Sequence, residues 1–257
     1  MSITAILLAA GYGTRLYPLT RHTPKALLPL GDGVILDVLM EALDAVSDVT
    51  QRVLVTNTRF VEQFRSWKKA RQRDVKIIDD GTQTPETRLG AVRDLELART
   101  HAHVGRDWLV IGTDNLFRWS LGAFVRKAQT QVPSASVALW EAPLSVDTTP
   151  FGVVTLDPSS RITALVEKSA QPPSRRVALC IYYFPHAMGD KITPFLHEGG
   201  NADATGYLIA YLAQTGLIYG ITMSGDWYDI GSREAYDQVV ALWGRTTSAK
   251  RKHPAKN

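Results

Sequence analysis

The 257-residue sequence predicts an α/β fold: a mostly parallel sheet flanked by helices, with a smaller antiparallel element in its second half. Three observations carry this reading. Short apolar runs alternate with segments of helical period up to about residue 120, four strand-like runs succeed one another between 136 and 184, and a glycine-containing turn comes directly after the first apolar run.

In the first half, strands are expected over 4–10, 52–57, 75–79 and 108–114, each a short run rich in β-branched or large apolar residues. Helices are expected between them over 35–46, 61–73 and 89–100. In the first of these, Ile35, Val38, Leu39, Ala42 and Val46 recur at helical spacing and define one buried face. The second half opens with strands over 136–141, 151–156, 162–168 and 178–184. Asp157-Pro158-Ser159-Ser160 separates the middle two and predicts an antiparallel hairpin. Helices over 186–197 and 203–214, a strand over 218–223 and a last helix over 232–243 complete the order. There is no internal repeat and no long linker. Residues 1–244 are therefore expected to form a single domain, its halves (about 1–120 and about 121–244) facing each other across a cleft.

Hydrophobic residues make up 45% of the chain and charged ones 21%, as in ordinary soluble proteins. The net charge of +4 sits in the tail: residues 245–257 hold five basic side chains and no acid, and without them acidic residues slightly outnumber basic ones. That tail lacks any apolar period and is expected to be disordered. A nucleic-acid or membrane partner is accordingly not expected. Cys180 stands alone, which excludes an internal disulfide and favours the reducing cytoplasm. No signal-peptide pattern precedes the first strand, and no apolar run approaches the ~20 residues that cross a bilayer.

The turn Gly11-Tyr12-Gly13-Thr14-Arg15 sits at the carboxyl edge of the predicted sheet, where α/β proteins bind ligands. Its glycines let the backbone come close to phosphate oxygens, and Arg15 adds a planar, permanent charge. A dinucleotide loop would need glycine at Leu16, and Pro18 and Pro24 oppose the helix that should come next; a Walker pattern is also missing. Downstream, in Thr23-Pro24-Lys25-Ala26-Leu27-Leu28-Pro29, two prolines are expected to hold Lys25 in an extended stretch, placed to neutralise a phosphate as charge builds on it.

From Leu8 to Pro29 the sequence resembles the sugar nucleotidyltransferase family, whose pattern runs L-A-A-G-x-G-T-R-L-x-P-L-T and then P-K-x-L-L-P. The resemblance implies a Rossmann-like, nucleotide-diphospho-sugar transferase fold, with the NTP in the first half and a sugar phosphate in the second. It implies an NTP site lined by Leu8, Ala10, Gly11, Gly13 and Thr14, with Arg15 and Lys25 as catalytic groups on the phosphates. It also implies Mg²⁺ held by Asp114, at the end of an apolar strand, and by Asp229 in Trp227-Tyr228-Asp229-Ile230-Gly231. Thr113 is an addition to the family's G-D-N, and a cap or turn role is the alternative for each aspartate.

Phe151-Gly152-Val153-Val154, then Val166-Glu167-Lys168, resembles the family's F-G-V and E-K-P, with Ser169 in place of the proline. By that resemblance Gly152 lies against the sugar, Glu167 bonds its hydroxyls and Lys168 holds its phosphate. A regular strand would point Glu167 and Lys168 to opposite faces, so a local irregularity is required if both meet one ligand. The alternative is a surface ion pair. Cys180 takes a glycine's place in a strand and reads as a small buried residue, and Asp203 reads as a helix cap. Between 79 and 90, Gln83 with Gly90 fits relatives that read a pyrimidine, while Glu86, Leu89 and Gly90 fit those that read guanine. The resemblance therefore implies Glu86 and Gly90 as base contacts and leaves the base open.

The expected reaction joins an NTP and a sugar-1-phosphate by direct displacement, with alignment and charge neutralisation in place of a general base. Two rivals remain. A related enzyme would act on phosphocholine or a cyclitol phosphate, for which Trp140, Tyr182, Tyr183 and Trp227 supply aromatic surface; a regulatory subunit would bind the nucleotide sugar without catalysis. A homo-oligomer is compatible with either.

Overall fold

The structure, a computed structural model, describes residues 2–252, with side chains to residue 243. In chain order the elements begin with β1 (Ile3–Leu8), β2 (Pro29–Leu30), β3 (Gly33–Val34), α1 (Ile35–Asp44), β4 (Val49–Thr56), α2 (Val61–Arg71), β5 (Lys76–Asp79), α3 (Ala91–Thr100), β6 (Asp107–Gly112) and β7 (Asn115–Phe117). They continue with α4 (Leu121–Gln129), β8 (Ala135–Glu141), β9 (Gly152–Leu156), β10 (Ile162–Glu167), β11 (Arg176–Phe184), α5 (Gly189–His197), α6 (Thr205–Ala213), β12 (Ile218–Thr222), β13 (Trp227–Asp229) and α7 (Arg233–Lys252).

Strands β5, β4, β1 and β6 run parallel, and β11 joins the open edge of β6 antiparallel, carrying the sheet on to β9 and β10 on one side and β8 and β12 on the other. This is the mixed, mainly parallel sheet with flanking helices that the sequence predicts. Its centre is dry: Ile3, Ala5, Ile6 and Leu7 of β1 are fully buried, because helices cover both faces and every position of the strand meets a core. Leu7, Leu54 and Ile111 pack on one face with Leu36, Leu39, Phe64 and Phe124, and Ile6, Val53, Val55 and Val110 pack on the other with Val92, Leu95 and Ile209. The hairpin between β9 and β10 forms as expected. Asp157 Oδ1 accepts from the N–H groups of Ser159 and Arg161, and Ser160 takes a positive φ of 66° to close the turn.

Several elements depart from the sequence expectation. Helix α4 carries Leu121, Phe124, Val125 and Ala128 on a buried face and is capped by Ser120 Oγ, which accepts from the Ala123 N–H at 3.1 Å. Strands β7 and β13 pair antiparallel, setting Asp229 opposite Asn115. Three-residue strands have no periodicity to read, and their pairing spans more than a hundred residues. The last helix is also longer than expected. It runs to Lys252, through most of the stretch expected to be disordered, and no proline interrupts the chain before Pro254; residues 253–257 lie outside the described ones.

Candidate active site

The loop after β1 is pinned from four directions. The Leu8 carbonyl accepts from both the N–H (3.2 Å) and Oγ1 (3.0 Å) of Thr113, so the added threonine ties the ends of β1 and β6 together. Asn57 Nδ2 donates to the Ala10 carbonyl at 2.8 Å, and the Tyr12 hydroxyl meets Thr82 Oγ1 at 2.9 Å. Thr20 Oγ1 donates to the Gly13 carbonyl at 2.7 Å. Gly13 has φ +61°, a left-handed conformation that glycine adopts freely, and it starts the single 3-10 turn Thr14–Leu16. Tyr12 and Leu16 are thereby turned inward, leaving Gly11, Thr14 and Arg15 exposed.

Lys25 opens a 3-10 turn, Lys25–Leu27, rather than lying in an extended stretch; only its neighbours Pro24 and Leu28 are extended. The proline fixes the entry, and the turn then aims the side chain at Asp114. Lys25 Nζ reaches Asp114 Oδ2 at 2.7 Å. Asp114 lies in the turn between β6 and β7, and Asp229 closes β13. The Ile230 N–H donates to the Asp114 carbonyl at 3.2 Å, so the β7–β13 ladder brings the two aspartates together. Asn115 fixes this arrangement from beneath. Its Nδ2 donates to the Gly112 carbonyl (3.0 Å) and to Asp114 Oδ1 (3.1 Å), while its Oδ1 accepts from Trp227 Nε1 (2.8 Å). A Cβ on Gly231 would stand 2.5 Å from Asp229 Oδ2 and 3.8 Å from Arg15 Nη1, which places the guanidinium and the second carboxylate over the same glycine.

The electrostatics of the pair are unequal. Burial raises the Asp114 carboxyl, but the Lys25 ammonium outweighs it and holds Asp114 below the usual range, with Arg15 adding to the effect. Burial, then repulsion from Asp114, pushes Asp229 up to about 6. Two half-buried carboxylates that repel each other are a pair of hard-oxygen donors, the ligand chemistry that suits a divalent cation such as Mg²⁺. Among the described residues no group of three His, Cys, Asp or Glu side chains is placed to hold a metal alone. Such an ion would draw its other oxygens from phosphates and water, the usual habit of Mg²⁺.

On the facing side, Gly152 begins β9 directly opposite Glu167 at the end of β10. A Cβ on Gly152 would lie 3.0 Å from Glu167 Oε1, so the carboxylate lies over this glycine. Lys168 comes next at φ +50°, outside the strand, with its N–H on the Phe151 carbonyl at 3.2 Å. The left-handed residue frees Lys168 from strand alternation, an irregularity of the kind that would be required for both side chains to meet one ligand. Burial pushes the Glu167 carboxyl up, opposed by the Lys168 charge. Trp227 stands between the two sides, 5.3 Å from the Phe151 ring and 5.4 Å from Trp140. Cys180, expected to be buried, is half-buried. Burial pushes its thiol up to about 11 and its Sγ lies 3.5 Å from Thr205 Oγ1.

The segment 81–90 bridges the halves. Glu86 lies exposed in the 3-10 turn Pro85–Thr87, and Gly90 takes φ +91° at the head of α3. A Cβ there would stand 2.4 Å from the Ala202 carbonyl oxygen, which itself accepts from the Val92 N–H at 3.0 Å. Arg88 Nε pairs with Asp203 Oδ1 at 2.7 Å. Asp203 is therefore not the cap of α6: Ala204 occupies that position without a side-chain bond, and Asp203 serves the bridge.

A family profile described as Nucleotidyl transferase matches residues 4–243. The chain belongs to the nucleotidyl transferase family. Its curated relatives include the bifunctional protein GlmU of Methanocaldococcus jannaschii, 29% identical over 88% of this chain and 51% of that protein. They also include a UTP–glucose-1-phosphate uridylyltransferase of Synechocystis, 25% identical over 92% and 62%, and the catalytic subunit beta of a Drosophila melanogaster mannose-1-phosphate guanylyltransferase, 26% identical over 93% and 62%. The chain thus spans about half to two-thirds of the length of these relatives. A Bacillus anthracis structure assigned as a glucose-1-phosphate thymidylyltransferase, in complex with a sucrose, superposes with a TM-score of 0.81 over 95% of this chain and 96% of that one, at 23% identity. It establishes the nucleotide-diphospho-sugar transferase fold.

In this nucleotidyl transferase the structure brings Arg15, Lys25, Asp114 and Asp229 into one cluster and sets Gly152, Glu167 and Lys168 into a second. Sequence reasoning missed Asn57, which holds the glycine loop through the Ala10 carbonyl, and Asn115, which holds Asp114. Asn115 carried a signal, since it comes directly after Asp114 at a predicted ligand-binding edge. Asn57 carried none, because its partner Ala10 is distant in the chain.

Proposed function

We propose that the protein transfers a nucleotidyl group from an NTP to a sugar-1-phosphate, giving an NDP-sugar and pyrophosphate. The observation that carries this is the convergence of Lys25, Asp114, Asp229 and Arg15 at the mouth of the glycine loop, with Lys25 and Asp114 at 2.7 Å. The family and the printed activities of its relatives support the same reaction.

The NTP lies on the loop from Leu8 to Thr14, its base towards Glu86 and Gly90. An oxygen of the acceptor's phosphate attacks the α-phosphorus, the bond from that phosphorus to the bridging oxygen breaks, and pyrophosphate leaves with the electron pair. A phosphate monoester is already anionic, so no side chain must remove a proton. Arg15 and Lys25 neutralise the charge that grows on the α- and β-phosphate oxygens, where fixed charges cost no reorganisation. Lys168 holds the acceptor's phosphate and Glu167 accepts from its hydroxyls, which makes the encounter effectively intramolecular. Mg²⁺, held by Asp114 and Asp229, would supply further charge neutralisation and hold the phosphates in line. A lone, inert cysteine fits a protein of the reducing cytoplasm, and among the described residues no helix is long and apolar enough to cross a membrane.

The test is a pyrophosphate-release screen of five NTPs against glucose, mannose, cyclitol and choline phosphates with Mg²⁺. Turnover is expected with at least one hexose-1-phosphate; turnover with choline phosphate alone, or with no pair, overturns the assignment.

A further inference from the structure

We propose that Gly206 is a positioning residue that sets where the Glu167 carboxylate stands, and through it how the acceptor's hydroxyls are held; this rests on the reading of Glu167 as an acceptor contact. Gly206 is the second residue of α6 and is buried. A Cβ built on it would fall 1.6 Å from Glu167 Oε1 and 2.7 Å from Cδ. From the other side, the Cβ position of Gly152 is 3.0 Å from the same oxygen. The carboxylate therefore occupies a slot between two glycines on different elements, filling the place where either side chain would stand.

The slot is rigid on the α6 side. Thr205, the preceding residue, shares a hydrogen bond with the buried Tyr182 hydroxyl at 2.8 Å, so the start of α6 is tied to β11. The Tyr182 hydroxyl also feels the Glu167 charge. On the Glu167 side the slot is soft, since the atoms in conflict are the end of a flexible side chain. Among the described residues no donor reaches its carboxylate, which leaves both oxygens for a ligand. A methyl group at 206 would thus displace the carboxylate and leave the fold in place. Alanine is also a better helix former than glycine, and position 206 lies in the first turn of α6, so stability should hold or rise.

The experiment compares the unaltered protein with G206A, E167Q, E167D and G206A/E167D, using the NTP and hexose-1-phosphate turned over fastest, with titration calorimetry of glucose 1-phosphate and mannose 1-phosphate alongside. Expected for G206A are an acceptor KM raised about 10-fold or more, as for loss of a hydrogen bond to a charged group, an NTP KM within about twofold, and an unchanged or higher Tm. In the E167D background, where the shorter side chain clears the methyl group, the G206A step should cost less than about twofold, a coupling that only contact between the two positions produces. If E167Q weakens acceptor binding and G206A does not, the proposal for Gly206 fails while the acceptor site stands. If E167Q also leaves acceptor KM unchanged, the reading of Glu167 itself fails. A G206A loss that persists in E167D, or that falls equally on both substrates, marks a merely structural role and overturns the proposal.

Discussion

At the scale of single residues, charge in the cluster is finely matched, and Lys25 is the member that balances it. Its ammonium holds Asp114 ionised beside Asp229. The variant Lys25→Ala should lower kcat about 100-fold or more, the range for loss of one preorganised donor, while circular dichroism shows a native fold; an unchanged kcat removes Lys25 from the chemistry. A second residue titrates where pH can probe it. Asp94 is 6% exposed, its Oδ1 is buried without a partner, and burial, then Asp80, pushes its carboxyl up to about 7. An unfolded aspartate titrates near ~3.9, so the folded state holds this proton more tightly. Asp94 then costs nothing below about pH 4, and it subtracts stability progressively as pH rises through about 7. The loss is on the order of a few kcal/mol, about 4 at most. Asp94→Asn should match the unaltered Tm near pH 4 and exceed it at pH 8; an offset equal at both pH values contradicts the assignment.

At the scale of elements, the small β7–β13 ladder does the most to build the site, because it aligns two aspartates from distant parts of the chain. Asn115 is its fastener, 4% exposed and bonded to Gly112, Asp114 and Trp227. Asn115→Ala strands a buried indole N–H and a buried carbonyl, so chemical denaturation should show a loss of about 1–3 kcal/mol. Activity should fall further than stability explains, because Asp114 loses its anchor; activity in proportion to the folded fraction alone would show that the ladder does not position the carboxylates. This ladder also marks where sequence reading stops. The buried strands β1, β4 and β6 are legible as continuous apolar runs, and the β9–β10 hairpin through Asp157-Pro158-Ser159-Ser160. Helix α4 has a readable apolar period, but its nine residues are too few for that period to stand out. The bend at Lys25 is hidden for another reason: proline restricts its immediate neighbours but does not decide the backbone beyond them.

At the scale of the whole molecule, the halves are joined by the continuous sheet through β6 and β11, by the β7–β13 ladder, and by backbone contact between the head of α3 and residues 202–203. The glycine loop and its lysine are visible in a single unbroken motif. The proposed division of labour between the halves is visible only through resemblance, since Glu167 acquires its place from Gly152 and Gly206 on other elements. The central claim is that these halves hold an NTP and an acceptor phosphate for one direct displacement. It is tested most directly by incubating the protein and Mg²⁺ with an NTP labelled at the α-phosphate, with and without its hexose-1-phosphate. The account predicts labelled NDP-sugar and equimolar pyrophosphate, both formed only when the acceptor is present. Pyrophosphate released without acceptor, or label attached to the protein in place of the sugar, would contradict it.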